Sequence, residues 1–151
     1  MTRAWVLGLT CGLLGCADPS GPACEAGEPS LTIGRDGLEF EPLSTGDELT
    51  LVHGVQGGYH TDLALELRGL GESPTLELVG EVEGVRLADD FVAIDGVCVD
   101  DRVVVTDVRL VWAAEPDLLD GASAWIEVRA TGSNGQMVSD QVTIVIVDSG
   151  P

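Results

Sequence analysis

Apolar and polar residues alternate along most of this chain. Leu63, Leu65 and Leu67 sit between Asp62, Ala64, Glu66 and Arg68, the period-two signature of a half-buried strand with its leucines inward. Leu76 and Leu78 flank Glu77 in the same way. Val108, Leu110 and Trp112 alternate with Asp107, Arg109 and Val111. Ala124, Ile126, Val128 and Ala130 alternate with Trp125, Glu127 and Arg129, and Val142, Ile144 and Ile146 alternate with Thr143, Val145 and Val147. Shorter runs predict strands at Leu31–Ile33, Leu38–Phe40, Glu48–Val52, Val82–Leu87 and Phe91–Val99. Gly-rich and Asn/Asp-rich punctuation separates them, as at Thr45-Gly46-Asp47, Gly54–Gly58, Gly69–Pro74 and Gly132-Ser133-Asn134-Gly135. No long stretch keeps a helical period, and Glu115–Asp120 fits one short turn. Eight to ten short strands at this spacing imply an all-β, antiparallel sandwich or barrel over residues 31–151.

The first thirty residues follow other rules. Arg3 and the amino terminus supply a positive start, and Ala4–Leu14 supplies an apolar run too short to span a bilayer. Leu13-Leu14-Gly15-Cys16 then resembles the lipobox of bacterial lipoproteins: an aliphatic residue, a tolerant position, a small residue, then cysteine. That resemblance implies a signal peptide over residues 1–15, cleavage between Gly15 and Cys16, and lipid on the Cys16 thiol. Two or three acyl chains hold a membrane firmly where one binds reversibly. Ala17 after the cysteine, in place of Asp, points by the same resemblance to the outer membrane of a Gram-negative bacterium. The alternative is cleavage after Ala17 and a soluble secreted protein. From the lipidated Cys16 to Ser30 the sequence carries Pro19, Pro22, Pro29, Gly21 and Gly27 with no apolar period, and it reads as a tether.

Two further resemblances concern the domain. Trp125–Val147, WIEVRATGSNGQMVSDQVTIVIV, resembles the last strand pair of bacterial immunoglobulin-like, cadherin-like and PKD-like modules, and implies an immunoglobulin-like β-sandwich. The buried Trp and paired cysteines of antibody domains are not evident in the pattern. Phe40–Arg68, with Phe40, Pro42, Leu43, Gly46, Asp47, Gln56, Gly57, Gly58 and His60, looks like a segment of uncharacterised myxobacterial-type lipoproteins. It implies location and source class but no reaction.

Charge narrows the partners. Seven basic residues, all Arg, face 26 Asp plus Glu; without Arg3 the balance is −20. A chain this acidic repels phosphate backbones, so nucleic acid is excluded as a partner. It also gains little from anionic head groups, so membrane attachment falls to the lipid. The remaining readings are solubility, cations or an unidentified protein partner.

Candidate chemistry is sparse. His53 and His60 bracket a Gly-rich loop, and on a hairpin they would face each other and hold a transition metal, with Asp62 or Asp47 as third ligand. The simpler reading gives Gly57-Gly58 the turn and His60 a strand start. Asp89-Asp90 and Asp100-Asp101 fall near strand ends, where calcium sites of sandwiches occur, or are solvated loops; neither fits an EF-hand. No G-x-S-x-G or H-E-x-x-H occurs, and five aromatic residues after the signal segment are few for a sugar cleft. The expectation is therefore a membrane-anchored, non-enzymatic interaction or envelope-associated module without a cofactor beyond the lipid; the alternatives are a small metal-binding site or metal-dependent enzyme built on His53 and His60, and a calcium-stabilised adhesion-type module. Cys24 and Cys98 remain after Cys16 is lipidated, and an exported protein pairs such cysteines. Free thiols or an intermolecular bridge are the alternatives.

Overall fold

The computed structural model describes residues 24–55 and 57–150. Alternation resolves into ten strands: β1 (Ser30–Arg35), β2 (Glu41–Pro42), β3 (Glu48–His53), β4 (Tyr59–Arg68), β5 (Thr75–Val82), β6 (Val85–Ala93), β7 (Cys98–Val99), β8 (Arg102–Trp112), β9 (Ser123–Thr131) and β10 (Met137–Asp148). A single helical turn, α1 (Pro116–Leu119), opens with Pro at its first position, where a missing N–H costs nothing.

Strand pairing gives two faces of a sandwich. β1, β4, β8 and β7 neighbour one another in that order, with the short β2 on the outer edge of β1. β10, β9, β5 and β6 form the second row. These are the ABED and GFC rows of an immunoglobulin-like sandwich, with β6 added beside the C strand. The pairing is antiparallel except at one place. β3 runs parallel to β10 through Glu48–Leu51, against Val145–Asp148, and then turns to pair antiparallel with His60 and Tyr59 of β4. One strand thereby joins both rows along one side. On the other side Ala113 N–H donates to Leu87 O at 2.7 Å and Val111 N–H donates to Asp90 Oδ2 at 2.8 Å. Both links engage edge groups that would otherwise be open to strand addition.

The inward set is the one alternation predicts. Leu63, Leu65 and Leu67 of β4 are fully buried, as are Leu76 and Leu78, Ile126 and Val128, and Ile144 and Ile146. Two predicted strands are corrected. Val82–Leu87 is split by a tight turn in which Glu83 (φ 52°) and Gly84 (φ 76°) both take left-handed backbone, the requirement of a two-residue hairpin turn. Phe91–Val99 is likewise two pieces, because β6 ends at Ala93 and Gly96 N–H is bonded to Glu72 O. The short segment Leu38–Phe40 forms no strand, and pairing falls instead on Glu41–Pro42.

Trp112 is a buried tryptophan that the sequence pattern did not set apart. The residue is 2% exposed, and the indole N–H donates to Thr61 Oγ1 at 3.3 Å. Its six-membered ring lies over Gly80 of the facing row, so a Cβ built there would come within 2.6 Å of Cη2. Gly80 is therefore required by close approach rather than by a turn.

Cys24 and Cys98 form a disulfide with Cα atoms 5.7 Å apart. Cys24 is 4% exposed, its carbonyl accepts the Gly71 N–H, and Glu25 accepts the Ser133 hydroxyl at 3.0 Å. The part of the expected tether from Cys24 to Ser30 thus lies on the domain. With a sequence separation of 74, the cross-link stabilises by about 4 kcal/mol in the chain-entropy account.

Gly80→Ala is expected to lower unfolding free energy by about 1–3 kcal/mol, read from denaturant midpoints at unchanged slope. A variant as stable as the parent would mean that the Trp112 ring is not fixed against β5.

Candidate functional site

Strand register decides what the histidines do. In the β3–β4 pair His53 lies opposite Tyr59, and Val52 lies opposite His60. Successive residues of a strand point to opposite faces, so His53 and His60 emerge on opposite sides of the sheet. A site shared by the two histidines is therefore not formed. Among the described residues there is also no group of three or more His, Cys, Asp or Glu side chains placed to hold one metal ion.

Each histidine instead meets its own aspartate. His53 Nε2 is 2.8 Å from Asp148 Oδ1, and its ring meets the Tyr59 ring edge-on at 5.1 Å between centroids. Asp148 also accepts the Gly150 N–H at 2.8 Å. That backbone hydrogen bond, and then the one from His53, hold the Asp148 carboxyl below its ordinary value. The phenol of Tyr59 is pushed above its ordinary value, first by desolvation and then by the Glu115 carboxylate 3.4 Å from its oxygen. This cluster fastens the last residues of β10 to the end of β3.

His60 lies on the outer face of the β1–β4–β8 row. It is 8% exposed, and the adjacent cleft of about 370 Å³ is lined by Gly54, Gly58, Tyr59, His60, Arg109 and Val111 among others. Two residues along, Asp62 shares that face, and its Oδ1 is 3.5 Å from His60 Nε2 and 3.5 Å from Arg109 Nε. Both His60 Nε2 and Asp62 Oδ1 are buried without a hydrogen-bond partner among the described residues. Further along the face, Glu66 accepts from Arg102 at 2.6 Å and from Arg68 at 3.1 Å. Desolvation raises the Glu66 carboxyl, but the Arg102 and Arg68 hydrogen bonds outweigh it, and the group is held below its ordinary value.

Other expected site residues have local structural roles. Asp47 Oδ2 accepts the Ser44 N–H at 2.9 Å and closes the turn before β3. Asp100 and Asp101 take φ of 52° and 59° and form the turn between β7 and β8. Asp89 pairs with Arg86 at 3.3 Å, and Asp90 holds the Val111 amide. Gly15, Cys16 and Gln56 lie outside the described residues. Arg109 and Asp148 were not singled out from the sequence. Their importance comes from cross-strand pairing, Asp62 with Arg109 and His53 with the end of β10, which no local spacing encodes.

No protein-family model and no curated protein matches the sequence. Among solved structures the chain is similar to the CooA pilin subunit of enterotoxigenic Escherichia coli, at 9% identity over 79% of this chain and 99% of that one, with a TM-score of 0.38. It is also similar to a DUF4466 family protein of Parabacteroides merdae, at 13% identity over 75% of this chain and 42% of that one, with a TM-score of 0.35. At such scores neither likeness bears on what this chain does.

Glu66→Gln is expected to destabilise by about 0.5–1 kcal/mol at neutral pH, the range of solvent-screened pairs. Because the folded carboxyl titrates below its ordinary 4.5, the contribution is present above that pH and is lost as pH falls through the folded value. Melting temperatures of parent and variant should therefore converge in acid. A gap that stays constant from neutral pH into the acid range would contradict the assignment.

Proposed function

We propose that this chain is the precursor of a bacterial lipoprotein of the myxobacterial type. It is cut between Gly15 and Cys16, carries diacylglyceryl on Cys16, and presents an immunoglobulin-like sandwich at the outer membrane as a non-enzymatic interaction module. The observation that carries the reading is the pairing of two cysteine environments. Cys16 closes a lipobox at the end of a short apolar run, and Cys24, eight residues on, is bonded to Cys98. Disulfides persist in oxidising compartments, which agrees with export. The third mature cysteine is thereby left free for acylation.

The same pairing sets how far the domain stands from the lipid. Only Ala17–Ala23 separates the anchor from the cross-linked residue. Seven residues span at most about 25 Å, roughly half the reach of a tether running to Ser30. The end of the sandwich nearest the membrane then carries Glu25, Glu72, Asp95, Asp100 and Asp101 near the Cys24–Cys98 link. Carboxylates there resist close contact with anionic head groups. The opposite end, with the His53–Tyr59 loop, α1 and the last residues of β10, points toward partners.

In a bacterial host grown with labelled palmitate, the parent chain should take up label and sediment with membranes. Cys16→Ser should remain an unlabelled, uncut precursor. An unlabelled parent chain in the soluble fraction would replace this reading with a secreted domain.

A further inference from the structure

We propose that the cleft between Tyr59 and α1 is a docking site for an arginine side chain presented by a partner polypeptide. This deepens the interaction-module reading above and rests on it for the partner-facing orientation of this end. The cleft measures about 540 Å³ and is built where the starts of β4 and β6, the end of β8 and α1 meet. Tyr59, Leu87, Trp112, Ala114 and Leu118 give it apolar walls, and Glu115 supplies its charge. Leu118 is 67% exposed, whereas its neighbour Leu119 is fully buried, so the helical turn holds one leucine in the core and leaves the other on the cleft.

Shape and charge together select the occupant. An aliphatic stem with a cationic head matches this lining, the stem along the leucines and the head against Glu115 and the Tyr59 ring. The Tyr59 hydroxyl is 3.4 Å from Glu115 Oε2, a long contact that leaves the carboxylate free to accept a stronger donor. Glu115 and Asp117 form no ion pair among the described residues. The charged groups that raise the Tyr59 phenol are all carboxylates, those of Glu115, Asp148 and Asp117. Arg86 and Arg109, on the linings of adjoining clefts, are paired with Asp89 and Asp62 and leave this charge uncompensated.

A guanidinium suits the place better than an ammonium, because it stacks on an aromatic ring and meets a carboxylate with two parallel hydrogen bonds. The adjoining cleft shares Gly58 and Tyr59 and adds the exposed Val55 and Val111, so apolar residues flanking the arginine have a surface to cover. A second copy of this chain is the poorer fit, because without Arg3 each copy carries −20 and the two repel.

The test uses the full chain, isotope-labelled, and follows its NMR shifts as N-acetyl-arginine amide is added, with N-acetyl-citrulline amide as the uncharged isostere. Arginine should give saturable shifts at Tyr59, Glu115 and Leu118, and citrulline should bind about tenfold more weakly. Glu115→Gln and Leu118→Ser, both at exposed positions, should each weaken arginine about three- to fivefold. Tyr59→Phe keeps the ring and should stay within about twofold of the parent. Asp101→Asn, which removes a carboxylate from the far end of the sandwich, should change nothing. The site is refuted if the shifts do not saturate, or if citrulline binds as well as arginine. It is equally refuted if Asp101→Asn weakens binding as much as Glu115→Gln does, the mark of diffuse charge attraction. Self-association of the parent that Leu118→Ser abolishes would seat a second copy in the cleft and overturn the proposal. Palmitate labelling reads the anchor and these shifts read the cleft, so either can fail without the other.

Discussion

The two-residue period of β4 is the constraint on which the rest of this molecule depends. β4 lies between β1 and β8 and also receives the end of β3, so its register is communicated to three strands. On its inner side Thr61, Leu63, Leu65 and Leu67 are wholly buried, and the first of these takes the Trp112 indole N–H. On its outer side His60, Asp62 and Glu66 meet Arg109, Arg102 and Arg68. A slip of one residue would exchange the two sets, moving leucines into water and carboxylates into the core. The apolar side thus fixes the arrangement of the charged side, and the chemistry of the outer face follows from the packing of the inner one.

Much of this architecture is legible in the sequence, for a local reason. Alternation reports burial directly, so Leu63-Ala64-Leu65 and Ile144-Val145-Ile146 identify themselves as strand positions without reference to any partner. What escapes is everything that depends on pairing. The parallel contact between β3 and β10 joins residues nearly a hundred positions apart, and nothing in Glu48–Leu51 announces it. The turn at Glu83-Gly84 is hidden inside a segment with valines at Val82 and Val85, because Glu is not a usual left-handed residue. The histidines show the same limit. A seven-residue separation looks suited to a shared site, and only the register of the loop between them sends the two rings to opposite faces. Pairing of His60 with Asp62 on one face is, by contrast, a simple consequence of spacing two on a strand.

Electrostatics and covalent structure act together at the two ends of the domain. A chain with 26 acidic and seven basic side chains gains little from contact with anionic head groups, so any position at a membrane would have to be imposed covalently. The Cys24–Cys98 link holds Cys24 against the β7 end of the domain. The basic residues that remain are concentrated where they neutralise partly buried carboxylates, as Arg102 does for Glu66 and Arg129 does for Glu77 and Glu127. The surplus of negative charge is left on solvent-facing positions of strands and loops, where it favours solubility and attracts cations.

The account of an anchored, cross-linked sandwich is tested most directly by the intact mass of the full-length protein recovered from bacterial membranes without reduction. It predicts a chain beginning at Cys16, heavier by its acyl groups and lighter by the two hydrogens of the Cys24–Cys98 bond. A chain that begins after Cys16 and carries no lipid would contradict it.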